Sequence, residues 1–439
     1  MKKETAILLF KIAWVYFLLI NIAEFTIHNK PDFIPFINFS GIPYLKYLPF
    51  FILTIIIIPF RVFKRIFDNT FIKNVFILLL ILSLFSFITG IFSSYPGVAR
   101  YNSSRMTFFI LIMFLVLAVY YTYPRTSEFL LKSFLFSSLL VLAGSLLDYY
   151  SPEFHNLLKS NFGRPDAMNS FMKIGNEIFI RPMGFITDAN LAAFYIAFAM
   201  LLFLVNNEFL KNKFLKAGFY LVSSYVFGLL ASRGALLIVI FTVTMFFIFK
   251  LVSRKELILF VVIFIVSQLI TPQTQARISQ IFNPQTIEEE FEVGRPVIWK
   301  ASIELFKTNP VFGVGPGNFF EVSDIYIRKI LEKKPELNIN NPELPGYHKI
   351  DKYNPHNIFL VMATETGILG LLIFCTLLIV LFLYYKKSKF YISLIFLTDI
   401  LIVSFLSNYA PYYKIYLIIC IVFFVLSLNN MKTINRNEV

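Results

Sequence analysis

The sequence predicts an all-α, polytopic membrane protein of about 12 transmembrane helices with one large extracytoplasmic helical loop. Three observations predict it. The 439-residue chain is 57% apolar and only 15% charged, against about 25% charged in an ordinary soluble domain. Apolar runs long enough to cross a hydrocarbon core of about 30 Å recur along its length. Basic residues gather in alternate short connections, the pattern of a bundle with one cytoplasmic face.

Taken in order, the first apolar run is 5–27. No Ala-x-Ala-like cleavage site follows it, so it reads as a retained helix rather than a removed signal peptide. Spans at 44–62, 74–92, 107–123, 129–149, 189–205, 214–231, 234–252 and 257–270 follow, then 357–385, 390–407 and 411–429. Lys2 and Lys3 precede the first span; Arg61, Lys64, Arg65 and Lys73 lie between the second and third. Arg125 follows the fourth, Lys211, Lys213 and Lys216 the sixth, and Lys250, Arg254 and Lys255 the eighth. Lys386, Lys387 and Lys389 follow the tenth, and Lys432 and Arg436 end the chain. Counting twelve spans puts all of these on one side. Both termini are then cytoplasmic and the long polar stretch faces outward. The expected organisation is a bundle over 1–270, a loop or lid over 271–356, and a second part of the bundle over 357–439. The many phenylalanines read as lipid-facing and packing residues.

The net charge of +14 raises nucleic acid as a partner, but its distribution argues against that. Residues 271–356 hold 10 Lys and Arg against 11 Asp and Glu, so the largest polar segment is near neutral. The excess sits in the short loops, where it reports topology. Cys375 and Cys420 lie in apolar runs and read as small buried hydrophobes. No Cys/His cluster has metal-ligand spacing.

The loop contains helices of its own. Pro296 suits a first helical position, and Val297, Ala301 and Leu305 recur at near-helical spacing, so a helix runs to Thr308 and stops at Asn309-Pro310. Asn318–Lys334 sets Phe319, Val322, Tyr326 and Ile330 on one side, an amphipathic helix suited to the outer membrane surface. Between the two, Gly313-Val-Gly-Pro-Gly-Asn318 fits a tight turn or a set of backbone donors near a ligand. It lacks the Gly-Lys-Ser/Thr end of a P-loop.

Candidate chemistry gathers on the outer face. Arg233 lies between two apolar runs, where guanidinium fits either an anion site or a snorkelling role. Gly234 beside it permits close backbone approach. Arg295 opens the loop helix, whose N-terminus favours anions. Arg181, before span six, reads as a further candidate anion contact; Asp188 reads as the cap of that span. His356 is the sharpest residue. Asn354 reads as an N-cap and Pro355 as the first helical residue, which puts the imidazole at a helix N-terminus as a neutral ring able to accept a proton. Asn357 follows it. Glu365 lies about 2.5 turns on, roughly the opposite face, and reads as polar packing before catalysis. Asp148 and Asp399, acids in apolar runs, keep a transporter reading open. His28, His155 and His348 have less defined surroundings.

The order of these motifs resembles the O-antigen ligase/polymerase superfamily of bacterial envelope glycosyltransferases. Ser232-Arg-Gly234 precedes Gly294-Arg-Pro-Val-Ile-Trp299. Asn309-Pro-Val-Phe-Gly-Val-Gly-Pro-Gly-Asn-Phe319 follows, then Pro355-His-Asn-Ile358 and Glu365-Thr-Gly-Ile-Leu-Gly370. The resemblance covers about 180–370 by motif and the whole chain by topology. It implies a glycan donor carried on undecaprenyl diphosphate at the outer face of the bacterial inner membrane. By the same resemblance, Arg233 and Arg295 would bind the donor diphosphate, with Arg181 added from its position. His356 would activate the acceptor hydroxyl, supported by Gly234, Gly315, Gly317, Asn357 and Glu365. The acceptor would be lipid A–core in the ligases, with polymerisation of repeat units or protein glycosylation as relatives of the same reaction. No metal, cofactor or nucleic acid is implied.

Overall fold

A computed structural model describes residues 3–26, 47–161, 171–174, 177–186, 188–206, 212–281, 295–331, 355, 357–388 and 390–406. The expected span at 411–429, Asn354 and His356 lie outside the described residues.

The fold is helical: α1 (Lys3–Thr26), α2 (Leu48–Ile57), α3 (Arg61–Asp68), α4 (Thr70–Ile91), α5 (Pro96–Thr122), α6 (Thr126–Tyr150) and α7 (Pro152–Asn161) lead to a small hairpin. After it come α8 (Ala189–Val205), α9 (Lys213–Leu230), α10 (Arg233–Ile248), α11 (Arg254–Ile270), α12 (Pro272–Ile281), α13 (Arg295–Thr308), α14 (Phe319–Leu331), α15 (Ile358–Lys387) and α16 (Tyr391–Leu406). Helices α4, α5, α6 and α15 are each long and apolar enough to cross a membrane. A fifth crossing arises if α11 and α12, bent by 80° at Thr271, count as one. The polytopic helical class therefore stands; the twelve-span count remains an expectation.

Several boundaries differ from the sequence reading for local reasons. The span expected at 44–62 ends at Ile57, because Pro59 disfavours helix at Ile58, which is extended at φ −92° and ψ 116°. A separate short helix, α3, follows. Helix α5 begins at Pro96 rather than near 107; proline is tolerated in a first turn, where its missing N–H has no partner to lose. The all-α reading also has an exception. Phe171–Ile174 (β1) and Glu177–Ile180 (β2) pair antiparallel, with Phe171 opposite Ile180.

Helix α8 is the centre of the bundle. Nearly all its side chains are buried, as expected of a helix that is apolar all round. Helices α6, α9 and α10 pack around it. Polar side chains tie neighbouring helices together: Trp14 donates to Ser133 at 2.7 Å, the Ser137 and Tyr195 hydroxyls pair at 2.5 Å, and Thr242 donates to Asp399 at 2.6 Å. Phenylalanine does much of the packing, as at Phe134 on Tyr195 and Phe246 on Phe396.

Candidate functional site

Two groups of candidate residues are built by this fold. The first surrounds the turn between α9 and α10. Ala231 ends α9 in the left-handed conformation, at φ 44°, and its N–H bonds back to Phe227 and Gly228. Ser232 is the extended N-cap residue of α10. Arg233 is therefore the first residue of the helix and is exposed, with Gly234 half-buried behind it.

Arg181 stands underneath this turn. It is only 4% exposed. Its Nε donates to the Leu230 carbonyl at 2.7 Å and its Nη2 to Asn190 Oδ1 at 2.8 Å. The Leu230 carbonyl is one of those left without a partner where a helix ends. Arg181 thus joins the C-terminus of α9 to the first turn of α8. Asp188 caps α8, accepting from the Leu191 N–H at 2.9 Å, as the sequence predicts.

The chain on either side is anchored as firmly. Asp148, at the end of α6, accepts from the N–H groups of Met183 (2.7 Å) and Gly184 (3.0 Å), and from His155 Nδ1 at 2.9 Å. Its carboxylate works as a local tether for the segment leading from Arg181. Across the bend at Thr271, Gln273 donates to the Ile180 carbonyl at 3.0 Å and Thr274 to the Gly228 carbonyl at 3.1 Å. Hairpin, bend and turn form one polar junction at the end of α9.

The second group lies between α13, α14 and α15. Ile298 and Leu305 of α13 pack with Val314 and Phe319, and Val322 and Tyr326 of α14 cover the same cluster. Phe319, Val322 and Tyr326 of the amphipathic side predicted for α14 are taken up in this contact. Helix α13 starts at Arg295, as expected; the Arg295 side chain lies outside the described residues. Four residues later, Trp299 donates its indole N–H to the Pro355 carbonyl at 2.8 Å. The helix that Arg295 opens is thereby fastened to the residue before His356.

The helix cap differs from expectation. Asn357, not Asn354, caps α15, its Oδ1 accepting from Phe359 N (2.9 Å) and Leu360 N (3.2 Å). Pro355 is therefore not a first-turn residue, and position 356 precedes the cap instead of following it. Asn357 is placed to cap the helix because the first-turn N–H groups of Phe359 and Leu360 lie within reach of its side chain.

Helix α15 is broken at Gly367, at φ 67° and ψ −169°. The segment Pro310–Gly315 fills the break. Val314 N–H donates to the Thr364 carbonyl, Gly315 N–H to the Glu365 carbonyl, and Ile368 N–H to the Pro310 carbonyl, all at 2.8 Å. These replace bonds that an unbroken helix would make to itself. A Cβ on Gly367 would come within 2.1 Å of the Val311 carbonyl oxygen. A Cβ on Gly315 would likewise meet Ser93, just past the end of α4, and one on Gly317 would meet Asn102 of α5. Two donors of the glycine segment are accordingly spent on the break, which supports its reading as a structural turn. Glu365 is buried at the same joint. The sequence gives no sign of this partnership; the one visible cue is glycine in the middle of an apolar run.

Among the described residues, no group of three or more His, Cys, Asp or Glu stands together in a way that could hold a metal. None of the curated proteins compared matches the chain. Residues 218–375 match the family model described as O-antigen ligase, Wzy_C. That stretch runs from within α9 to within α15 and includes Arg233, Arg295, the glycine segment, Asn357 and Glu365; Arg181 lies before it. The match falls on the segment in which the motif order was found, and it supports the resemblance of that segment to the O-antigen ligase/polymerase superfamily.

Proposed function

We propose that this protein is an O-antigen-ligase-type glycosyltransferase of the bacterial inner membrane. It moves a glycan from undecaprenyl diphosphate to an envelope acceptor hydroxyl, lipid A–core in the ligases, at the extracytoplasmic face, with both termini cytoplasmic. In this reading His356 takes the proton from the acceptor hydroxyl. The hydroxyl oxygen bonds to the anomeric carbon, the carbon–phosphate oxygen bond breaks, and the electron pair leaves on the diphosphate. Arg233 and Arg295 hold that leaving group, whose charge grows as the bond breaks, so they stabilise the transition state more than the ground state. Attack opposite the leaving group inverts the anomeric centre; a linkage analysis finding retained configuration would exclude the single-displacement scheme.

The observation that carries this reading is the Trp299–Pro355 hydrogen bond, inside the matched segment. It fastens the helix that Arg295 opens to Pro355, the chain neighbour of His356, which supports the two residues serving one site. Arg181 acts behind the site in this scheme. A guanidinium buried to this degree and bonded to Leu230 and Asn190 is suited to holding the Arg233 turn, not to gripping a soluble-headed donor. The segment 271–356 acts as a lid, and the site is the seam between it and the bundle.

The test is purified protein incubated with a lipid-linked glycan and with lipid A–core, protein or further lipid-linked glycan as acceptor. Ligation onto lipid A–core is the expected product; a ladder of lipid-linked chains, or a glycosylated peptide, would replace the ligase assignment. His356→Ala should express normally and bind donor while abolishing transfer, and transfer at the wild-type rate would remove the base assignment.

A further inference from the structure

The candidate site occupies one end of the bundle; a second surface stands at the other. Helix α3 is separated from α2 by the extended break at Ile58 and leads through Asn69 into α4. The far end of α4 reaches Ser93, which touches the glycine segment. The 22 residues of α4 rise about 33 Å at 1.5 Å per residue, the thickness of a hydrocarbon core. Helix α3 therefore sits at the membrane face opposite the candidate site.

One side of α3 is used by the bundle. Val62 and Ile66 are buried, and Phe63 stacks on Phe114 at 5.4 Å between centroids with 11° between planes. The other side mixes aromatics and cations. Phe60 is 88% exposed and Phe67 is 43% exposed, and Arg61, Lys64 and Arg65 are exposed between them, with Lys73 one turn into α4. Asp68 is the only acid in α3. Among the described residues none of these four cations makes an ion pair. Arg61, Lys64 and Arg65 stand at i, i+3 and i+4, so they share one helical face.

We propose that this face of α3 is a binding surface for anionic phospholipid headgroups in the leaflet opposite the candidate site. The chemistry that fits it is a phosphate diester at headgroup depth beside acyl chains. Three adjacent cations meet the phosphate, while Phe60 and Phe67 lie where chains and headgroups meet. Diffuse positive charge in the short loops orients a membrane protein without this arrangement. Here the cations are on a rigid helix whose position is fixed by the ring packing of Phe63 and Phe67 on Phe114. The surface does not depend on the transfer reaction and is testable without a glycan.

The test uses the full-length protein purified in a zwitterionic detergent and titrated with phosphatidylglycerol or phosphatidylcholine. Native mass spectrometry reads the lipids retained, and thermal unfolding reads their effect. Phosphatidylglycerol should be retained preferentially, and each cation removed from Arg61→Gln/Lys64→Gln/Arg65→Gln should lower its apparent affinity about fivefold. Arg61→Lys/Arg65→Lys, which keeps the charges, should restore most of the preference. A control, Lys213→Gln/Arg254→Gln/Lys255→Gln, removes equal charge elsewhere and should leave it intact. Equal retention of the two lipids would overturn the proposal, as would a control variant that loses as much as the α3 variant.

Discussion

Gly367→Ala is the perturbation that most directly tests how the glycine segment is joined to the broken helix α15. At φ 67° and ψ −169° this position is in a region that is essentially glycine-only, and a residue with a Cβ there costs about 1–3 kcal/mol. The new Cβ would also sit 2.1 Å from a backbone oxygen, that of Val311, which can move only with the loop. The variant has two ways out. It can keep the break and carry both penalties, or it can straighten α15. Straightening restores helical partners for Thr364 and Glu365 but detaches Val314, Gly315 and Pro310 from the joint. Each of those bonds contributes about 0.5–1.5 kcal/mol, so either route costs about 2 kcal/mol or more. That corresponds to roughly a thirtyfold rise in the undocked population of the segment. Limited proteolysis at Lys307, next to the segment, measures it, alongside thermal unfolding in detergent. Gly218→Ala is the control, because a Cβ there meets nothing within 4 Å. Cleavage of Gly367→Ala at the wild-type rate would refute the idea that the glycine segment is held by the broken helix.

Other expectations follow from the same geometry. Trp299→Phe deletes one hydrogen bond to Pro355, worth about 1 kcal/mol, and should slow transfer about fivefold at saturating donor with little change in melting temperature. An unaltered rate would separate that tether from the reaction. Arg181→Ala leaves the Leu230 carbonyl and Asn190 without their charged donor and should destabilise the protein, by about 1–3 kcal/mol. Arg233→Ala, at an exposed position, should leave stability within about 0.5 kcal/mol while weakening donor use. The reverse pattern, a stable Arg181→Ala and an unstable Arg233→Ala, would overturn the division of labour between them. Asp148→Ala strands two backbone N–H groups and should cost about 2–6 kcal/mol, whereas Asp148→Asn keeps an acceptor and should cost less; equal melting temperatures for the two would contradict the tether role.

Much of the loop was legible because its signals are local. Pro296 and Asn309-Pro310 bracket α13, and the spacing of Phe319, Val322 and Tyr326 places α14. The α15 cap was misplaced by three residues, since Asn354 and Asn357 offer the same side chain and nothing in the local sequence says which of them meets the first free N–H groups of the helix. The hairpin was missed although Gly175-Asn176 between two β-prone tetrapeptides is a turn signal; its shortness beside long apolar runs hid it. Arg181 and the break at Gly367 were out of reach for another reason. An arginine before a proline looks like any loop arginine until a carbonyl 49 residues away takes its Nε. A broken helix cannot be recognised from its own sequence when the groups that complete it belong to residues 310–315.

The break in α15 bears on how the protein is made. A helix with open carbonyls is a poor passenger in hydrocarbon, where each unsatisfied group costs several kcal/mol. Chain order solves the problem: residues 310–315 are synthesised about 50 residues before Thr364 and Glu365, so the surface that seals the break already exists when α15 leaves the ribosome. Reversing that order, by circular permutation that places 295–331 after α15, would ask the membrane to accept the open helix alone. The glycine segment is in this sense a partner for insertion, made before the helix that needs it.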